Sequence, residues 1–229
     1  MSLHLPPRSF RDSYRWMVHP EPAGPSSTSR LPFHRDGRVH PMRARYEFYP
    51  TPPEATRALL SVEQFDGSIW EPACGRGAIS MVLEAAGHQV VSTDLIQRDY
   101  GTGEIDFLRE TESRAKHIVT NPPYGRGLGD AFVRHALHLT RETDGSVAML
   151  LNLASLCHPK RHQLWVENPP AAIYALDELV CWPEGDAALA RSSTAQQRYC
   201  WVVWKPHHAG RTSFGWLSTK RFGAPGDSS

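Results

Sequence analysis

The chain has 229 residues, 40% of them apolar, which suits one domain with a proper core; a second full domain is not expected. Net charge is +1, but residues 1–45 hold eight Arg against Asp12, Glu21 and Asp36, and 205–229 also carries a positive excess, leaving the middle acidic. No 18-residue apolar run exists, and Cys74, Cys157, Cys181 and Cys200 form no CxxC pair, so a membrane span, an export signal and a disulfide or zinc framework are not expected and a reducing cytoplasm fits.

Residues 1–45, with Pro6, Pro7, Pro20, Pro22, Pro25 and Pro32 and little apolar periodicity, read as a basic arm. Basic ends around an acidic body suit contact with a phosphate backbone, because Lys and Arg release condensed counterions there; plain solvated tails are the alternative. From residue 46 to 206 the pattern alternates short apolar runs with helical periods, the signature of an α/β domain with a largely parallel sheet.

A helix is expected after Pro53, through Ala55, Ala58, Leu59 and Val62, with Pro52-Pro53 as its rigid start. A strand follows at 68–70, a helix at 78–86 ending at Gly87, and a strand at 89–93 ending in Asp94. Further strands are expected at 117–120, 147–153, 171–176 and 199–204, with helices at 128–140 and 159–166. The segment 207–229 reads as a basic tail.

Glu71-Pro72-Ala73-Cys74-Gly75-Arg76-Gly77 joins the first strand to the next helix, where small residues let a ligand approach the backbone. Ser80 stands where a dinucleotide loop would want its third glycine, and the Gly-Lys-Ser/Thr of a P-loop is absent, which argues against nicotinamide and ATP. Asp94 lies 19 residues beyond Gly75, the spacing of a carboxylate that takes ribose hydroxyls; an ordinary strand-end turn is the plainer reading.

Asn121-Pro122-Pro123-Tyr124 follows the strand at 117–120. Consecutive prolines fix φ and remove two donors, so the Asn121 amide oxygen and the Pro122 carbonyl are both available to one ligand. An exocyclic aromatic amine is planar and a poor nucleophile; two acceptors that each take one N–H pull it toward tetrahedral geometry and aim its lone pair. Tyr124 is expected to stack on the flat face of the target. A stiff turn with a packed tyrosine is the alternative, and Asn168-Pro169-Pro170, which lacks the tyrosine, reads only as a turn.

With the glycine loop, Asp94 and Asn121-Pro-Pro-Tyr124 in that order, residues 46–204 resemble the class I S-adenosylmethionine-dependent amino-methyltransferases, especially adenine-N6 DNA enzymes of phage and restriction-modification type. The resemblance implies a Rossmann-like α/β fold, a mostly parallel seven-stranded sheet with helices on both faces. It implies S-adenosyl-L-methionine as cofactor, S-adenosyl-L-homocysteine as product, and no metal. Tyr49, Thr51 and Pro52 would hold the amino-acid end of the cofactor, and Glu71, Ala73 and Gly75 its methionine portion. Asp94 would take the ribose, Asp106 the adenine amino group, and Leu95 and Phe107 the adenine ring; Cys74, Gly77 and Asn121 complete the expected cofactor set. Asn121, Pro122 and Tyr124 are the expected catalytic residues.

Pro123, Tyr124, Arg126, Arg198 and Tyr199 are the expected substrate contacts, with Arg191 in the same loop, and 125–129 is a candidate lid with a plain linker as alternative. The chain departs from sequence-specific members in having no room for a target-recognition domain. DNA is favoured over RNA as partner. Methylation of RNA bases, cytosine N4 or protein glutamine N5 is the rival reading, and a nucleic-acid-binding module with a vestigial cofactor pocket the non-enzymatic one.

Overall fold

The computed structural model describes residues 48–177, 179, 181–182 and 198–223, apart from the side chain of Arg126. The arm at 1–45, Arg191 and most of the loop between Trp182 and Arg198 lie outside the described residues.

Helix α1 (Pro53–Leu60) starts on proline at its first position, where a missing N–H costs nothing, and buries Ala55, Ala58 and Leu59. Strand β1 (Ile69–Glu71) is fully buried and leads through the glycine loop into α2 (Ser80–Ala85). β2 (Val90–Ser92) and β3 (His117–Thr120) flank β1, both parallel to it. Helix α3 (Leu128–Leu139) then leads to β4 (Val147–Asn152). A 3-10 turn at Pro159–Arg161 and the short α4 (His162–Glu167) occupy the segment expected to be one helix. β5 (Ala172–Leu176), β6 (Tyr199–Trp204) and β7 (Ser213–Leu217) complete a seven-stranded sheet in the order β2-β1-β3-β4-β6-β5-β7. Among the described strands only β6 runs against its neighbours.

Successive residues of a strand face opposite sides, and here both sides are covered, so the central strands β1 and β3 are buried along their whole length and mostly apolar. Val119 and Leu150 pack on one side with Ala55, Leu59 and Leu83 of α1 and α2. Ile118 and Met149 pack on the other with Phe132, Val133 and Leu164 of α3 and α4. The Trp201 indole donates to the Ala55 carbonyl at 2.9 Å, tying α1 to β6.

β7 lies in the segment expected to be a tail. Its alternation is hard to read as a strand because Phe214 and Trp216 point outward while Leu217 packs inward; the open edge of β5 supplies the pairing instead. Of the candidate lid at 125–129, Gly125–Gly127 form a 3-10 turn and Leu128 and Gly129 already belong to α3. Among the described residues no helix is long and apolar enough to cross a membrane.

Candidate functional site

The strand order reverses about β1, with β2 on one side and β3 on the other, and the chain leaves the carboxyl ends of β1 and β3 in opposite directions. Such a switch point opens a crevice, and the loops after β1 and β3 form its walls. The cavity there is lined by Glu71, Ala73, Cys74 and Gly75 from the first loop, by Asp94 and Leu95 after β2, by Asp106 and Phe107, and by Asn121, Pro122, Pro123 and Tyr124. Tyr49 and Thr51 close it from the chain preceding α1.

Glu71 is 2% exposed, and its carboxylate accepts from the Ser80 N–H at 2.8 Å and from the Ser80 hydroxyl, which in turn meets Ser92 Oγ at 2.6 Å. Burial pushes the Glu71 carboxyl up to about 8, against the opposing pull of the Ser80 donors. Burial likewise pushes the Cys74 thiol up to about 12, so Cys74 enters the cavity wall as a small apolar group. Gly75 and Gly77 sit at φ 57° and 80°, the left-handed region. A Cβ on either would also collide with an aromatic ring, Phe48 for Gly75 and Tyr100 for Gly77, each at 2.5 Å.

Asp94 binds the glycine loop from the far side of the crevice. One carboxylate oxygen accepts from the Gly75 N–H at 2.8 Å; the other accepts from the Ile96 N–H and the Arg98 guanidinium, both at 2.8 Å. A carboxylate has about four acceptor positions. Three are filled here by protein donors, so Asp94 shapes the loop before it meets any ligand. Asp106 caps the 3-10 turn Phe107–Arg109 through the Leu108 N–H at 3.1 Å, and Phe107, 2% exposed, is held by Trp70 and Phe132.

The Asn121 amide is oriented by its neighbours. Its NH2 donates to Thr51 Oγ1 at 3.0 Å and to the Tyr49 carbonyl at 3.3 Å. This leaves Oδ1 on the other side, where the Tyr124 hydroxyl donates to it at 2.5 Å while also lying 2.8 Å from the Leu150 carbonyl. The Tyr124 ring packs against the cores on both sides of the sheet. It lies inward, whereas the sequence pattern suggests the posture of a stacking platform.

The structure therefore brings fourteen of the expected site residues to one cavity: Tyr49, Thr51, Glu71, Ala73, Cys74, Gly75, Asp94, Leu95, Asp106, Phe107, Asn121, Pro122, Pro123 and Tyr124. Pro52 instead caps α1 and faces a separate apolar groove. Gly77 lies behind the loop against Tyr100. Tyr199 is 4% exposed in β6, its ring centroid 6.5 Å from that of Tyr124, so it backs Tyr124 and does not reach the cavity as a wedge. Arg198 is exposed at the start of β6 and is not part of the cavity lining. The Arg126 side chain lies outside the described residues.

Sequence reasoning missed Phe48 and Arg98. Phe48 lines the cavity under Arg98, whose guanidinium lies 4.7 Å from the ring centroid, and under Arg76 at 5.6 Å. The spacing Asp94 to Arg98 was the one available signal for the ion pair; nothing local joins Phe48 to a loop that lies so far along the chain.

No family model and no curated protein matches the chain. Among solved structures, a protein from Listeria monocytogenes assigned to the class I S-adenosylmethionine-dependent methyltransferases aligns at TM-score 0.52 and 14% identity, over 74% of this chain and 66% of that one. The fold is that of the class I methyltransferases. A modification subunit of a type I restriction enzyme from Vibrio vulnificus YJ016 aligns at TM-score 0.48 and 16% identity, over 73% of this chain and 47% of that one. A protein from Agrobacterium tumefaciens assigned as an O-methyltransferase aligns at TM-score 0.47 and 14% identity, over 73% of this chain and 86% of that one. The chain thus spans just under two thirds of the first structure and about half of the second.

Proposed function

We propose that this chain is an S-adenosylmethionine-dependent N-methyltransferase acting on an exocyclic amino nitrogen, with adenine N6 in DNA as the favoured target. The observation that carries the reading is the orientation of Asn121: its NH2 is anchored on Thr51 and Tyr49, so its oxygen is turned to the side where a hydrogen-bond donor already sits.

The residues around the crevice fit the cofactor by the chemistry of the donor set. Asp94 and Asp106 offer carboxylate oxygens for hydroxyl and amino donors, Leu95 and Phe107 offer an apolar slot for a flat ring, and the glycine loop offers backbone at φ values only glycine adopts freely. Bound there, S-adenosylmethionine supplies a methyl group on a positively charged sulfur and departs as S-adenosylhomocysteine.

Asn121 Oδ1 and the Pro122 carbonyl each accept one N–H of the target amine, which localises its lone pair toward the crevice. The amine takes over the Asn121 acceptor from the Tyr124 hydroxyl, so the buried oxygen exchanges one donor for another and is not left bare. Tyr124 turns outward as it is displaced and stacks on the target. No strong base is required, since the nitrogen sheds its extra proton to water after transfer.

The test is to expose DNA to the protein and S-adenosylmethionine, digest to nucleosides and identify the methylated species by mass, with RNA and protein in parallel. N6-methyladenine from DNA is expected; label in protein alone would move the reading to glutamine N5.

A further inference from the structure

Strand β7 ends the sheet on one side, and its side chains are the reverse of what a protected edge carries. Phe214 and Trp216 are two residues apart and so share a face; they are 50% and 80% exposed, and their rings meet edge to face at 5.1 Å. Edge strands are ordinarily blunted by Lys, Pro or inward charge, and Ser213–Leu217 contains none of these. The charge lies on either side instead: Arg211 before the strand and Lys220 and Arg221 after it are all exposed, and residues 205–223 contain no Asp or Glu.

Nearby carboxylates are already engaged. Glu63 holds Lys205 at 2.8 Å, Asp144 meets His207 at 2.9 Å, and Asp177 accepts from the Thr219 N–H at 2.6 Å. Among the described residues no ion pair joins Arg211 or Arg221 to a carboxylate. A surface depression beside Trp216 is lined by Val62, Leu217, Arg221 and Phe222 together with Asp177, whose carboxylate accepts from the Thr219 N–H and hydroxyl.

β7 is parallel to β5, which is antiparallel to β6, which is antiparallel to β4; β7 therefore points the same way as β3 and β4. Its carboxyl end lies on the same rim of the sheet as the Asn121 loop, across β4, β6 and β5. Four strand spacings of about 4.8 Å put the two roughly 20 Å apart.

We propose that Phe214 and Trp216, flanked by Arg211 and Arg221, form a stacking platform for an unpaired stretch of the nucleic-acid strand whose target base is presented at Asn121. This rests on the nucleic-acid reading given under Proposed function. Exposed aromatic faces stack bases of any identity, and guanidinium groups neutralise the phosphates between them. A second copy of the chain is the weaker occupant. Antiparallel pairing of two β7 edges would bring Arg211 of one copy toward Lys220 and Arg221 of the other, with no carboxylate in the segment to offset them. A polyanion complements that charge.

The experiment is fluorescence anisotropy with a labelled unpaired DNA oligonucleotide long enough to span both places, using wild type, the double variant Phe214→Ser/Trp216→Ser, and Arg211→Gln/Arg221→Gln. All four side chains are exposed, so circular dichroism and Tm should match wild type. The aromatic variant is expected to bind at least about tenfold more weakly, and the arginine variant to lower the salt slope by about 1.4, while S-adenosylmethionine affinity stays unchanged. Unaltered oligonucleotide affinity in the aromatic variant overturns the platform. So does a wild-type dimer that the aromatic variant dissociates, which would make this face a self-association surface. If wild type methylates nucleic acid but the aromatic variant binds it equally well, the platform fails and the enzymatic reading stands. Aromatic-dependent binding without methyl transfer to nucleic acid upholds the stacking surface and overturns nucleic acid as the methyl acceptor.

Discussion

The Tyr124 hydroxyl lies 2.5 Å from Asn121 Oδ1 and 2.8 Å from the Leu150 carbonyl. It has one hydrogen to share between two acceptors, and the acceptor on Asn121 is the one the target amine needs. Tyr124 is therefore both a guard on the acceptor and, once turned, the surface for the target ring. The two roles separate by substitution. Tyr124→Phe keeps the ring and removes the guard: a stability loss of about 1 kcal/mol is expected, with target KM unchanged or lowered and turnover retained. Tyr124→Ala should raise target KM by about tenfold or more with cofactor affinity preserved. Steady-state kinetics with chemical denaturation check both; a Tyr124→Phe protein as inactive as one lacking Asn121 would give the hydroxyl a part in the chemistry.

Thr51 sets which way the Asn121 amide faces. Thr51→Val removes the acceptor at 3.0 Å and lets the amide turn its NH2 toward the target, where it repels an amine donor. We expect kcat to fall about tenfold, the worth of one hydrogen bond of about 1.4 kcal/mol, while S-adenosylmethionine affinity stays within several-fold. Thr51→Ser should restore turnover. Titration calorimetry beside a label-transfer assay separates this from a cofactor-binding role, which would instead move the cofactor Kd.

Asp94 holds the Gly75 N–H and Arg98 together, so its removal should act on the loop and the cofactor at once. Asp94→Ala leaves a buried donor and a mostly buried guanidinium without their partner, at a cost of about 3 kcal/mol or more. Cofactor binding should be lost in calorimetry. Retained affinity would remove Asp94 from the ribose role.

Glu71 gives a signature in pH. Burial raises its carboxyl to about 8 from the ordinary value of 4.5, so the folded protein binds a proton that the unfolded chain has released between those values. Stability from this group is complete below the unfolded value and is lost as pH rises toward 8, at a slope no steeper than about 1.4 kcal/mol per pH unit. The decline in Tm from pH 5 to 8 should be steeper in wild type than in Glu71→Gln. Parallel curves would mean that Glu71 is charged in the folded protein.

How far the molecule was legible from its residues follows from how local each feature is. The strands and helices from α1 to β6 come from apolar runs and periodicity, and the walls of the crevice from the loop 71–77 and the tetrad 121–124; all of these sit within short windows. β7 escaped because its largest side chains face outward and its partner strand lies some 40 residues earlier in the chain. The inward posture of Tyr124 depends on Leu150, 26 residues away, and the packing of Gly75 on Phe48. Such contacts are set by tertiary packing, and no window of sequence around either residue contains them.

Asn121→Ala, read by nucleoside mass spectrometry of DNA incubated with S-adenosylmethionine, tests the proposed chemistry most directly. Wild type should yield N6-methyladenine and the variant none, with cofactor affinity within several-fold of wild type by calorimetry. Equal yields of methylated base from both proteins would contradict it.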